Sequence, residues 1–172
     1  MSMIFTWRML SDEDDNFVRD YEVAYDMNLL DFHKFICDDL GYENSTMASF
    51  FLSDQMWERH NEFTLIDMGQ DPDAEEAPVA MESVCLGQII KHNNERLIFL
   101  FDMFENRAYY LELTATKKAE KGKTYPVCIF SHGEAPDQFS ADMNPSNVSI
   151  FDEAMDDFAD FEGDDYYDDP MY

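Results

Sequence analysis

Two residue pairs with metal-binding chemistry stand at the same spacing in this chain: His33 and Cys37 are four apart, and so are Cys128 and His132. An imidazole nitrogen and a thiolate from each pair would make a tetrahedral zinc site. Structural zinc sites usually show tighter and more repetitive spacing. A histidine and a small apolar cysteine on one side of a helix fit a protein core equally well. The reading adopted is no metal and no cofactor, with His33, Cys37, Cys128 and His132 as the residues that would ligate one. Cys128 and His132 also have the types needed for nucleophilic catalysis, but no orienting third group or oxyanion donor accompanies them.

A second constellation lies in RLIFLFDMFENRAYYLEL, residues 96–113, where Asp102, Glu105 and Arg107 form a short charged centre between two apolar runs. The pattern predicts a β-hairpin with strands over about 96–103 and 108–116 and with Glu105, Asn106 and Arg107 at or near the turn. Carboxylates alone decide nothing, because 38 of the 172 residues are Asp or Glu. General acid–base work needs one of them buried and perturbed. The chain has no GxxxxGK[ST], no GxGxxG after a strand, no HExxH and no GxSxG, which removes most support for nucleotide-cofactor and hydrolase classes.

The charge balance points to partners. Eleven Lys and Arg against 38 acids give a formal net charge of −27, which disfavours direct contact with nucleic acid or an anionic membrane and favours a protein partner with a basic surface. With 45% apolar and 15% aromatic residues the composition is nevertheless that of a folded domain. The first residues lack the features of a secretion signal, and LIFLF, residues 97–101, is far too short to span a bilayer. Three widely spaced cysteines fit reduced thiols, so a cytoplasmic protein is expected.

The elements that must position these residues are those of a single α+β domain over residues 1–139. MIFTWRML and FVRDYEVAY alternate around SDEDDN as a hairpin. LLDFHKFICDDLGY follows as an amphipathic helix stopped by Gly41. MASFFLSD and WERHNEFTLI are strand candidates, residues 67–82 an exposed connection, and SVCLGQIIKHNN a short second helix. KKAEKGK reads as a solvated basic turn and YPVCIFSHGEAPDQF as an irregular closing segment. The expected architecture is a mainly antiparallel sheet with two helices packed on it. Residues 140–172 form an acidic tail with eleven acids and no Lys or Arg. Within it Phe151, Met155, Phe158 and Phe161 fall on one stripe of a short helix, as anchors for a protein partner or for docking on the domain.

Three blocks together resemble the plasmid pRiA4b ORF-three-like family, small proteins from plasmids, mobile elements and bacterial or archaeal genomes. The helix block LLDFHKFICDDLGY has a family counterpart with Leu and His ahead of a Gly and an aromatic residue. FLFDMFENRAYYLEL matches a block that typically reads Tyr-Asp-Phe-Gly-Asp, one residue, then Trp, with Phe101, Asp102, Met103, Phe104 and Glu105 in the first five places and Arg107 in that of Trp. In YPVCIFSHGEAPDQF, Tyr125, Pro126, Cys128, Gly133, Ala135 and Pro136 match the third block. The resemblance implies an α+β fold, places a family-motif site at Asp102, Glu105 and Arg107, and implies little about activity.

The functional reading is a non-enzymatic, cytoplasmic protein-interaction module. Two alternatives belong to other classes. One is a metal-dependent or enzymatic protein of a mobile element that uses Asp102 and Glu105 with the segment from Cys128 to His132. The other is an acidic mimic of nucleic acid that occupies a basic protein.

Overall fold

The structure is a computed structural model in which residues 2–67, 69, 73, 77–92 and 95–139 are described. The chain divides into two units, Met1–Gln138 and Phe139–Tyr172. The first is an α+β domain. The tail anchors Phe151, Met155, Phe158 and Phe161 lie outside the described residues.

Among the described residues eight strands build one sheet: β1 Met3–Ser11, β2 Val18–Ala24, β3 Ser49–Ser53, β4 Arg59–Thr64, β5 Val79–Ala80, β6 Arg96–Asp102, β7 Arg107–Lys118 and β8 Val127–His132. Their order is β5-β4-β3-β6-β7-β1-β2-β8. All pairings are antiparallel except β4 with β5. The first hairpin forms as its alternation predicts, with Trp7 opposite Tyr21 and both fully buried. β6 is buried along most of its length because both faces are covered: Leu97, Phe99 and Phe101 enter the main core, while Ile98 and Leu100 meet Phe51, Trp57 and Tyr110 on the other side. This explains why its sequence reads as a continuous apolar run rather than an alternation.

The helix α1, Leu29–Leu40, lies on the main-core face and buries Leu29, Phe32, His33, Ile36 and Cys37. Asn28 starts it by accepting the Asp31 backbone N–H at 2.8 Å. Gly41 ends it at φ 74°, a left-handed conformation that a side chain would strain. Gly41 N–H bonds to the Asp38 carbonyl and Tyr42 N–H to that of Cys37, the Schellman closure. Its consequence is positional: Tyr42 is turned back under the sheet, against Phe101 and Tyr109.

Three expectations change. Residues 67–82, read as an exposed connection, end in β5 and in Met81, which is fully buried in the main core. The second helix, α2 Leu86–Ile89, has only four residues, because its segment is held to the connection between β2 and α1 by backbone bonds from Leu86 to Met27 and from Gly87 to Tyr25. The closing segment is not wholly irregular: Val127–His132 adds β8 to β2, concealed in the sequence because a register shift lies opposite Asp20 and Tyr21 and because most of the strand is exposed.

Candidate functional site

The charged centre of the β6–β7 hairpin becomes a corner in which three parts of the chain meet. Asp102 and Arg107 face each other as the last pair of the hairpin, beyond a register shift after Leu100. Asn106 takes the positive φ of 55° that closes the turn, a conformation asparagine tolerates. Asp102 Oδ1 accepts the backbone N–H groups of Phe104 at 3.1 Å and Glu105 at 3.2 Å, and Oδ2 lies 3.5 Å from Arg107 Nη1. The turn is thus tied to its own base.

Arg107 carries the rest. Its Nε and Nη2 donate to the Glu13 carboxylate at 3.0 to 3.2 Å, Nη2 also donates to the Asp137 carbonyl at 2.7 Å, and Nη1 donates to the Gln138 carbonyl at 3.1 Å. The guanidinium plane lies 4.9 Å from the Phe101 ring. Burial alone would lower its pKa, but the Glu13 and Asp102 carboxylates outweigh that and raise it. Behind it runs a phenol chain. Tyr42 donates to the Pro136 carbonyl, so Tyr109 donates to Tyr42 at 2.5 Å. Burial pushes the Tyr42 phenol up to about 12, against the bond from Tyr109, and holds Tyr109 above the ordinary tyrosine range. The Gln138 amide closes the corner by exchanging bonds with Glu43 N–H at 2.7 Å and Glu43 C=O at 2.9 Å. Gly133 aims the chain here: at φ 75° it passes so close to Asn16 that a Cβ would sit 2.7 Å from that carbonyl oxygen.

Chemically, this corner is committed. Asp102, Glu13, Tyr42 and Tyr109 each hold at least one strong partner, and the arrangement clamps residues 136–138 to the hairpin while leaving its tip in solvent. At that tip Phe104 is 86% exposed, beside the exposed Met103. Glu105 is also exposed.

A sequence model of the plasmid pRiA4b ORF-3-like proteins matches residues 9–163. The chain belongs to that family. Among solved structures, a protein of unknown function from Methanosarcina mazei Go1 matches with a TM-score of 0.62 at 15% identity, over 95% of this chain and 85% of the other. At that identity the likeness carries the fold alone. No curated protein matches the chain.

In this pRiA4b ORF-3-like chain two of the positions that depart from the block quoted above, Phe104 and Arg107, have physical accounts. Phe104 is not among the described residues with positive φ, so a side chain fits where the family has glycine. Arg107 covers Phe101 as an aromatic residue would, and adds five donors.

The remaining candidates are placed separately. His33 is buried on α1, where Nε2 donates to the Asn44 carbonyl at 3.0 Å and Nδ1 lies 3.8 Å from Cys37 Sγ. Burial pushes the Cys37 thiol up to about 12 and His33 below its ordinary value. Cys128 and His132 sit on the edge strand β8, with Cys128 Sγ 3.3 Å from the Phe130 carbonyl. Four strand spacings, on the order of 19 Å at the usual separation, lie between β6 and β8, so Asp102 and Glu105 do not share a cleft with that segment. Among the described residues, the group of three metal-ligating side chains that the fold does assemble is Asp54, Glu58 and His60. There Asp54 already binds His60 at 3.0 Å and two backbone N–H groups. Sequence spacing concealed the corner as well, since Glu13, Tyr42 and Gln138 reach Arg107 and its neighbours from three separate segments. Among the described residues no helix is long and apolar enough to cross a membrane.

Proposed function

We propose that this chain is a non-enzymatic protein-interaction module that presents Met103 and Phe104 to a protein with a basic surface. The observation that carries the reading is Phe104, 86% exposed on a turn whose base is fixed by Asp102 and Arg107. Single exposed apolar residues are ordinary, but an aromatic side chain on a pre-ordered turn has the properties of an interface anchor: large apolar area and little entropy left to lose. Charge supports the same partner. Six of the eleven cations, Arg8, Arg19, Arg96, Arg107, Lys117 and Lys123, are paired with acids of the domain, so the surface left over is strongly acidic. The basic turn is part of this, with Lys117 and Lys123 each 2.7 Å from the buried Glu22. Phe151, Met155, Phe158 and Phe161 would supply a second set of anchors by their sequence spacing. The free thiols Cys37, Cys85 and Cys128 suit a reducing cytoplasm.

The experiment is affinity capture followed by calorimetry on the recovered partner. Phe104→Ala should weaken binding by at least about tenfold, and added salt should weaken it further. Equal affinity of the variant, at an unchanged melting temperature, would remove the tip from the reading.

A further inference from the structure

A second surface has a different chemistry. At the far end of the sheet from the Arg107 corner, on the face that carries α1, an open cleft of about 420 Å³ is lined by both the first hairpin and the segment after α2. Its floor is apolar, formed by Phe5, Leu113 and Ile90, all nearly buried. Tyr25 stands at its side, edge-on to Phe5 with the ring centroids 6.1 Å apart. The titratable groups that line it are Lys91 and His92, together with the phenol of Tyr25. Lys118 lies next to this lining as the cross-strand partner of Met3, and is exposed.

What distinguishes these lysines is that they are uncommitted. Lys117 and Lys123 are held by Glu22, whereas Lys91 and Lys118 have no acid partner among the described residues. Among the described residues no carboxylate lines the cleft, and the nearby Glu95 carboxylate is turned to the Lys91 backbone N–H at 2.7 Å. In a domain with 27 acids against 11 bases, residues 1–139, an apolar cleft whose described lining holds a lysine and no acid is a local inversion of the surface. An apolar floor with a few polar groups at one side is the general form of a small-molecule site, and the volume falls in the range of such sites. We infer that this cleft binds a small amphipathic carboxylate, its aryl or short acyl body on Phe5 and Leu113 and its anionic head between Lys91 and Lys118. The overall negative charge does not forbid this, since at physiological ionic strength distant charges are screened beyond roughly 8 Å. A neutral ligand would leave the lysines unused, and a cationic one would be repelled by them.

The test is a heteronuclear NMR titration of the full chain with phenylbutyrate and, separately, with the neutral phenylbutanol, at physiological salt. Phenylbutyrate should shift Phe5, Tyr25, Ile90 and Leu113 saturably and bind at least about fivefold more tightly than the alcohol. The double variant Lys91→Glu with Lys118→Glu changes two exposed side chains; it should weaken phenylbutyrate about tenfold and leave the alcohol unaffected. The inference is overturned if no saturable shifts appear at these residues, if the alcohol binds equally well, or if the double variant does not discriminate. Binding of an acidic aromatic peptide without binding of phenylbutyrate would also overturn it, in favour of a peptide groove. Because Phe104 takes no part, Phe104→Ala should leave this titration unchanged whatever becomes of the interaction reading.

Discussion

Arg107 begins β7 and Lys118 ends it, and the two cations meet opposite surroundings. Arg107, with its side chain 15% exposed, is met by two carboxylates, two backbone carbonyls and an aromatic ring. Lys118 is exposed and has no acid partner among the described residues, and the cleft beside it is open. One strand therefore holds charge used for construction at one end and charge available to a ligand at the other. A planar fork suits the first task, since it satisfies several fixed acceptors at once, whereas a flexible ammonium suits the second. The general lesson is that a charged residue at a motif position reports on function only after its partners have been counted.

The contrast can be broken or sharpened by substitution. Arg107→Ala should have the largest effect, about 3 kcal/mol in urea unfolding, because it strands Asp102 and the carbonyls of residues 137 and 138; Arg107→Lys should recover less than half of that. A loss under about 1 kcal/mol would mean the corner is an ordinary surface pair. Gly133→Ala should follow at about 2 kcal/mol, read in the same assay, since it forces a side chain into a left-handed position against the Asn16 carbonyl. Tyr42→Phe should cost about 1 to 1.5 kcal/mol, by leaving the Pro136 carbonyl and the Tyr109 hydroxyl without their bond.

A smaller effect is a pH slope that belongs to neither end. Burial holds His33 below its ordinary value of 6.5, with the bond to Asn44 opposing the shift. The folded protein keeps the ring neutral, while the unfolded chain takes up a proton near that value. Stability should therefore be full above about 6.5 and decline as pH falls towards the lower folded value. His33→Gln should flatten that part of the profile in denaturation at stepped pH. The least effect belongs to the other end of β7: Lys91→Ala and Lys118→Ala should each leave the melting temperature within about 2 °C. A larger drop would show that these lysines are structural after all.

How much of this was legible follows from the range of the interactions involved. α1 was readable because its apolar spacing and the Gly41 stop are both local. The hairpins were readable for the same reason, although Arg107 proved to open β7 rather than belong to the turn. β8 was hidden by its bulge and exposure, and the two-residue β5 has no pattern to find. Asp102 and Arg107 were visible as a charged centre, but Glu13 and Gln138 joined them from positions 94 and 31 residues away from Arg107. The cleft draws its lysines from two segments with no shared motif. Local chemistry can be read along a chain, and convergence cannot.

Sheet order also governs how such a domain comes into being. Because β8 pairs with β2, Arg19 donates to a carbonyl 113 residues further on, and Gln138 is bonded to Glu43 across 95. β1 waits in the same way for β7. Long-range pairings of this kind are reached only after large loops have closed, which slows folding. During synthesis the amino-terminal hairpin must therefore remain without two of its neighbours, and the Arg107 corner cannot lock until residue 138 has left the ribosome.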